Sequence, residues 1–352
     1  MKIFYFLISV FFLSCFNENI PPQKKVNEDP ISVISSLIEK DITNDSLYIE
    51  RAILSIEKER YREAVKDLEQ SINLDPTKGH SHYLLGDVFF RMAKNGLSKE
   101  NVLDKSLFHF SEAVKYHSDS VLSLKNAGEI LLFKGRVLED TSYIRNSIQL
   151  LHQSISIDNS NFHSFILLGF CYKEINEIET SKKCFRKSIS LKSDNEDAYL
   201  QLGNLYAAVF DTTAIEYYNN ALSINPENRM AQYNIGLIYQ NNMMYNKALD
   251  AYYELFNKDI EDSHYVEANY NLGFIFMEYL KDYKLAINYF ADATRVNPKH
   301  EQSYFAMGRC YQSFGDVTNA ERYFRKSLEV NPNYKNAKNQ LEKLLLDNEK
   351  YK

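Results

Sequence analysis

The side chains in this 352-residue chain that could do chemistry are few and poorly spaced for it. His80 and His82 are the closest pair of histidines. On a helix, residues two apart point to different faces, so the pair is a poor metal chelate. Cys171, Cys184 and Cys310 have no zinc-ligand spacing. They read as buried free thiols, with a Cys171–Cys184 disulfide as the alternative. The chain contains no Gly-x-Ser-x-Gly elbow, no phosphate-binding glycine loop and no His-Glu-x-x-His helix. The residues therefore point away from an enzyme, and no cofactor, metal or small-molecule substrate is expected. With 41 basic against 47 acidic residues, the net charge of −6 also argues against a nucleic-acid partner, which needs a basic stripe.

What the residues do have is a register. Gly86, Gly128, Gly169, Gly203, Gly236, Gly273 and Gly308 recur at intervals of 33 to 42 residues. A period in that range signals stacked helical hairpins. The clearest unit spans residues 301–334. Tyr304, Met307, Gly308 and Tyr311 lie at i, i+3, i+4 and i+7, one face of a helix. Ala320, Phe324 and Ser327 mark a second helix, Gly315-Asp316 breaks the chain between the two, and Pro332 ends the unit. Small residues at 308, 320 and 327 allow close helix approach, and Tyr311 and Phe324 fill the space beside them. The four glycines outside the series, Gly79, Gly96, Gly135 and Gly315, are placed in inter-helix turns.

This pattern resembles the tetratricopeptide repeat, and the resemblance covers nearly all of the chain after about residue 45. It implies an all-α fold, a right-handed superhelical solenoid of about eight hairpins with a C-terminal capping helix. The repeats are expected at 45–78, 79–120, 121–161, 162–195, 196–228, 229–265, 266–300 and 301–334. A short apolar stripe, Ile31, Ile34, Leu37 and Ile38, makes residues 31–44 an N-terminal cap. Residues 335–352, with Ala337, Leu341, Leu344 and Leu345 on one side, make the C-terminal cap. The second and third repeats are longer than the rest, by residues around 95–103 and 137–143. These extra residues lengthen turns or helix ends, either as a tolerated insertion or as a ridge that a partner recognises.

In tetratricopeptide arrays the first helix of each repeat lines the inner surface. Carried onto this chain, the inward positions of repeats five to eight include Asn204, Tyr233, Leu237, Tyr270, Phe274, Met277 and Phe305. Two readings stay open: these side chains extend the core, or they form an exposed aromatic groove for a protein or peptide. Groove binding would draw amide contacts from Asn204 or Asn234. The carboxylate clamp of some tetratricopeptide domains is incomplete here, because Leu200 and Glu267 stand where lysines are needed.

The first residues read as an address. Met1-Lys2 is followed by apolar residues 3–13, too short a run to span a bilayer but proportioned as a signal peptide over 1–14. Phe12-Leu13-Ser14-Cys15 resembles a bacterial lipobox, with Phe12 where leucine is usual. The resemblance implies cleavage before Cys15 and lipidation of that residue, giving a membrane anchor. Residues 15–30, polar and holding three prolines, read as a tether. The function expected is a non-enzymatic scaffold at the bacterial cell envelope. It would be a periplasm-facing lipoprotein, with periplasmic capture of exported or unfolded peptides as the alternative.

Overall fold

A computed structural model describes residues 29–97, 101–256 and 262–350. The signal segment, Cys15 and nearly all of the tether lie outside the described residues. The chain divides into two compact units, Met1–Ser118 and Asp119–Lys352.

In unit one, α1 (Pro30–Lys40) packs on the hairpin α2 (Asp45–Glu57) and α3 (Tyr61–Leu74), followed by the hairpin α4 (Gly79–Lys94) and α5 (Val102–Lys115). Unit two carries six hairpins: α6 (Ser120–Val137) with α7 (Thr141–Ile157), α8 (Phe162–Glu174) with α9 (Ile178–Leu191), and α10 (Glu196–Ala207) with α11 (Thr213–Ile224). Then come α12 (Arg229–Asn241) with α13 (Tyr245–Glu254), α14 (Ser263–Ile275) with α15 (Tyr283–Val296), and α16 (Glu301–Ser313) with α17 (Val317–Val330). The last helix, α18 (Lys335–Lys350), packs on α17. The fold is all-α, and the described residues contain eight helical hairpins.

Seven of the eight hairpins close around a glycine, and the first has Ala52 in its place. A Cβ added at Gly169, Gly203, Gly236, Gly273 or Gly308 would lie 2.5–2.6 Å from a ring atom of Phe185, Tyr218, Tyr252, Phe290 or Phe324. All five rings are fully buried. The glycines therefore let one helix rest directly on an aromatic side chain of the other. Ser106, Ser147 and Ser181 add a hydroxyl donated to the carbonyl of Gly86, Gly128 and Gly169 at 2.6–2.7 Å, while later repeats place alanine there. Gly135 does not lie in a turn: it is a buried residue of α6, where its missing Cβ makes room for Ile144. Gly79 likewise starts α4.

The turn inside each hairpin repeats one device. A residue just past the first helix adopts a left-handed conformation: Glu59, Gly96, Glu139, Asn176, Phe210, Met243, Lys281 and Gly315 all have φ between 54° and 76°. The next N–H then bonds back across the helix end, as Arg60 does to Ser55 at 2.8 Å and Asp316 to Tyr311 at 3.0 Å. This satisfies carbonyls that the helix leaves unpaired. In repeat three the extra residues went into the helices. There α6 has 18 residues and α7 has 17, while the link between them is residues 138–140.

Candidate functional site

Repeats five and six carry tyrosine where most other hairpins have phenylalanine at the buried ring position, and the added hydroxyl must find a partner. The Tyr218 hydroxyl donates to Asn204 Oδ1 at 2.7 Å and accepts from Asn234 Nδ2 at 3.1 Å. Burial pushes the phenol up to about 12, against the opposing effect of the Asn234 bond, so Tyr218 stays a neutral donor. The arrangement fixes both amides: Asn204 keeps its NH2 and Asn234 its carbonyl oxygen for another partner. Tyr252 repeats the theme one hairpin on, donating to Gln240 at 2.9 Å and accepting from Asn271 at 3.1 Å.

The fixed amides line a pocket of about 240 Å³ between α10 and α12. Leu237, Ile238, Ala207 and Phe210 supply its apolar walls, and Asn241 a further amide. Its volume lies below the roughly 300–1,000 Å³ of small-molecule sites. It fits one side chain of a longer ligand, beside one amide donor and one amide acceptor. That is the pairing a peptide bond needs.

The structure distributes the inward-facing candidates unevenly. Asn204 and Leu237 come together in the pocket. Met277 does not line the surface. It is 4% exposed and packs in the core with Phe290 and Met307. Tyr233, Tyr270 and Phe305 are half-buried, with ring centroids 5.9, 5.7 and 5.7 Å from the rings of Tyr252, Phe290 and Phe324 of their own hairpins. Phe274, also half-buried, packs on the same core as Met277 and near Tyr279. The room left by each glycine explains this: the buried ring moves toward the first helix, and the inward aromatic covers it. These four rings extend the core, while Asn204, Asn234 and Leu237, expected on the inner surface, line the polar pocket; the buried hydroxyl that orients the two amides was not legible from apolar spacing. Its signal was Tyr218 in place of phenylalanine.

His80 and His82 do not converge. His80 stacks on Tyr83, while His82 is buried with its Nδ1 3.0 Å from Nδ1 of His109. No group of three metal-ligating side chains occurs among the described residues. Cys171, Cys184 and Cys310 are free thiols. Burial pushes the first two up to about 11 and the third to about 12, so they are poor nucleophiles. No helix among the described residues is long and apolar enough to cross a membrane. Cys15 lies outside the described residues.

Comparison with known proteins agrees with the hairpin geometry. The tetratricopeptide repeat pattern matches residues 46–78, 162–195, 266–300 and 301–334. The chain is 22% identical over 338 residues to a TPR repeat-containing protein of Methanocaldococcus jannaschii, covering 82% of this chain and 58% of that one. It is 21% identical over 325 residues to a BBSome complex member of Drosophila melanogaster, covering 81% of this chain and 65% of the other. The chain thus spans less than two thirds of the length of these two relatives. The crystal structure of YrrB, described as a TPR protein with an unusual peptide-binding site, superposes at 20% identity with a TM-score of 0.45. The match covers 55% of this chain and 97% of that one.

Proposed function

This chain carries tetratricopeptide repeats, and on that premise we propose that it is a non-enzymatic protein-interaction scaffold that holds an extended segment of a partner protein against the first helices of unit two. The observation that carries the reading is the amide pair of Asn204 and Asn234. Tyr218 orients both, and they line a pocket the size of one side chain. Side-chain amides held in one orientation receive a peptide backbone without further ordering cost. The partner is a protein rather than a nucleic acid or a small molecule.

The address at the N-terminus supports a bacterial lipoprotein at the cell envelope, facing the periplasm and held by lipid on Cys15. Confinement to a membrane would raise the effective concentration of repeats toward a partner at the same surface, so moderate contacts would suffice. The rival reading, a broad peptide-capture module, needs an exposed aromatic groove. The packing of Tyr233, Tyr270, Phe274 and Phe305 against the core withholds most of that surface.

A photo-crosslinking residue placed at Leu237, in cells, tests the scaffold reading against one placed at Lys183 on the exposed face of α9. Leu237 should capture a discrete protein, and the paired substitutions Asn204→Ala and Asn234→Ala should reduce that capture at least tenfold. Equal capture from both positions would remove the pocket from the function. Cys15→Ala, followed by membrane fractionation, tests the anchor separately: protein that stays with membranes would reject it.

A further inference from the structure

Large apolar side chains stand exposed at one recurrent place in unit two, the turn between the first and second helix of a hairpin. Val209 is 69%, Phe210 55%, Met243 75% and Met244 42% exposed. Phe210 and Met243 also occupy the left-handed position of their turns, with φ of 57° and 59°. The other repeats of unit two fill this position with polar residues or glycine, Glu139, Asn176, Lys281 and Gly315, so only Phe210 and Met243 put an apolar side chain there. The fold gains nothing from an exposed ring or thioether on a strained backbone. Strain of this kind, kept at an exposed apolar residue, points to use.

Charge defines what could cover this surface. No charged residue occurs from Ala198 to Phe210 or from Met230 to Asn246, although a quarter of the chain is charged. The two turns form one surface, because Asn242 Nδ2 donates to the Phe210 carbonyl at 3.0 Å. Depletion of charge around apolar and methionine side chains is the composition of a protein-interface centre. A lipid surface fits poorly. The two turns themselves carry no lysine or arginine to meet headgroups; the nearest, Lys182 and Lys247, lie over the rings of Tyr206 and Tyr239, and Asp211 beside the patch is held ionised by hydrogen bonds from Thr213. The patch is also continuous with the pocket, since Phe210 and Asn241 line the pocket on the side of the turns.

We infer that the partner segment is uncharged and apolar: one side chain enters the pocket at Asn204 and Asn234, and the residues beside it cross the turn edge over Phe210 and Met243. This rests on the peptide-binding reading above and adds the chemistry and path of the ligand. A charged ligand residue laid on the uncharged stretches around Phe210 and Met243 would lose hydration for little return, with Asp211 at the margin as the one carboxylate beside the turn, whereas an apolar residue gains by burial.

The probe is a phage-displayed library of random dodecapeptides selected on the full chain. The strongest binder is then synthesised and titrated by fluorescence anisotropy. Two double variants are compared with the unaltered protein: Phe210→Gly with Met243→Gly, and Asn204→Ala with Asn234→Ala. Glycine suits the positive φ of both turn positions, so the first variant should melt no lower than the parent. The expected result is enrichment of uncharged, apolar peptides whose affinity falls at least tenfold in each variant. Enrichment of acidic or basic peptides, or binding lost in the asparagine variant but kept in the glycine variant, would overturn the turn-edge path and leave the pocket reading standing. No enrichment, or binding insensitive to both variants, would reject the pocket reading as well. A dimer that light scattering finds in the parent and not in the glycine variant would assign the patch to a second copy and overturn the inference.

Discussion

The imidazoles of His82 and His109 meet in unit one with their Nδ1 atoms 3.0 Å apart, which only one donor and one acceptor can satisfy. His82 Nε2 faces the Pro76 carbonyl at 3.2 Å, and a carbonyl only accepts, so that nitrogen carries a hydrogen. Neutral His82 then accepts at Nδ1, and His109 donates. Burial, followed by the charge His82 can carry, pushes His109 down to about 4. Lys105 acts in the same direction and Glu112 against it, while the rings of Phe89 and Phe108 pack beside it. Because the folded value lies below the ordinary 6.5, the unfolded chain binds the extra proton. Stability is therefore full above about pH 6.5 and falls as the pH drops toward 4. Allowing for the part of the ring that solvent reaches, the loss should be about 1–2 kcal/mol. Denaturant unfolding at pH 7, 5.5 and 4 should show this slope in the parent and a flatter one in His109→Phe; equal slopes would remove His109 as its source. The sequence displayed His82 only beside His80, because spacing arguments see neighbours on one helix. Its true partner lies across the hairpin, where the lengthened link of repeat two blurs the register.

Elements absorb irregular spacing in ways the repeat length alone does not locate. In repeats four, five, six and eight, the left-handed residue follows the glycine by seven positions, as Gly308 and Gly315 show; in repeat seven Lys281 follows Gly273 by eight. The extra residue is taken up by a π-helical end on α14, Phe276–Leu280. Asp282 N–H accordingly reaches the Phe276 carbonyl, six residues back, where its counterparts reach five. The wide turn lets the hairpin close in the common geometry. Deleting Leu280, which is exposed, should convert the π turn to ordinary helix with a change within about 1 kcal/mol. Deleting Gln312 from α16, which has no spare residue, should cost about 3 kcal/mol or more through loss of register between Gly308 and Phe324. Equal shifts in denaturant midpoint would refute the account. The 35-residue interval from Gly273 to Gly308 showed that one residue was extra, but a glycine frame cannot say whether a helix or a turn holds it. Repeat three poses the same question, and buried Gly135 inside α6 shows that the helices took the insertion.

At the scale of the molecule, a stack of hairpins is held by neighbour packing, so its weakest points are its ends. The hairpins and both caps were legible because every unit repeats the same small and aromatic residues. The proposed ligand surface was legible only in part: Asn204, Asn234 and Leu237 fell out of the repeat register, but the Tyr218 hydroxyl that holds the two amides and the turn residues beside them did not. In unit two, α18 closes the stack by placing Leu341 and Leu344 against Ala320 and Phe324 of repeat eight. Repeat seven offers the matching pair Ala286 and Phe290, both fully buried under α16. The junctions match as well: Asn297-Pro298-Lys299-His300 precedes repeat eight, as Asn331-Pro332-Asn333-Tyr334 precedes α18. Excising residues 301–334 therefore joins α18 to repeat seven in register, and α18 should cap it. Removing only residues 335–352 instead leaves Ala320, Phe324 and their neighbours uncovered, an apolar end face prone to association. The shorter deletion should be the more harmful: the chain lacking 301–334 should remain monodisperse with a cooperative melt. The chain lacking 335–352 should lose about 2–4 kcal/mol and aggregate on concentration. Light scattering with thermal melts decides between them. Aggregation of the repeat-deleted chain, with the cap-deleted chain monodisperse, would show that α18 recognises features particular to repeat eight rather than the face that repeats seven and eight share.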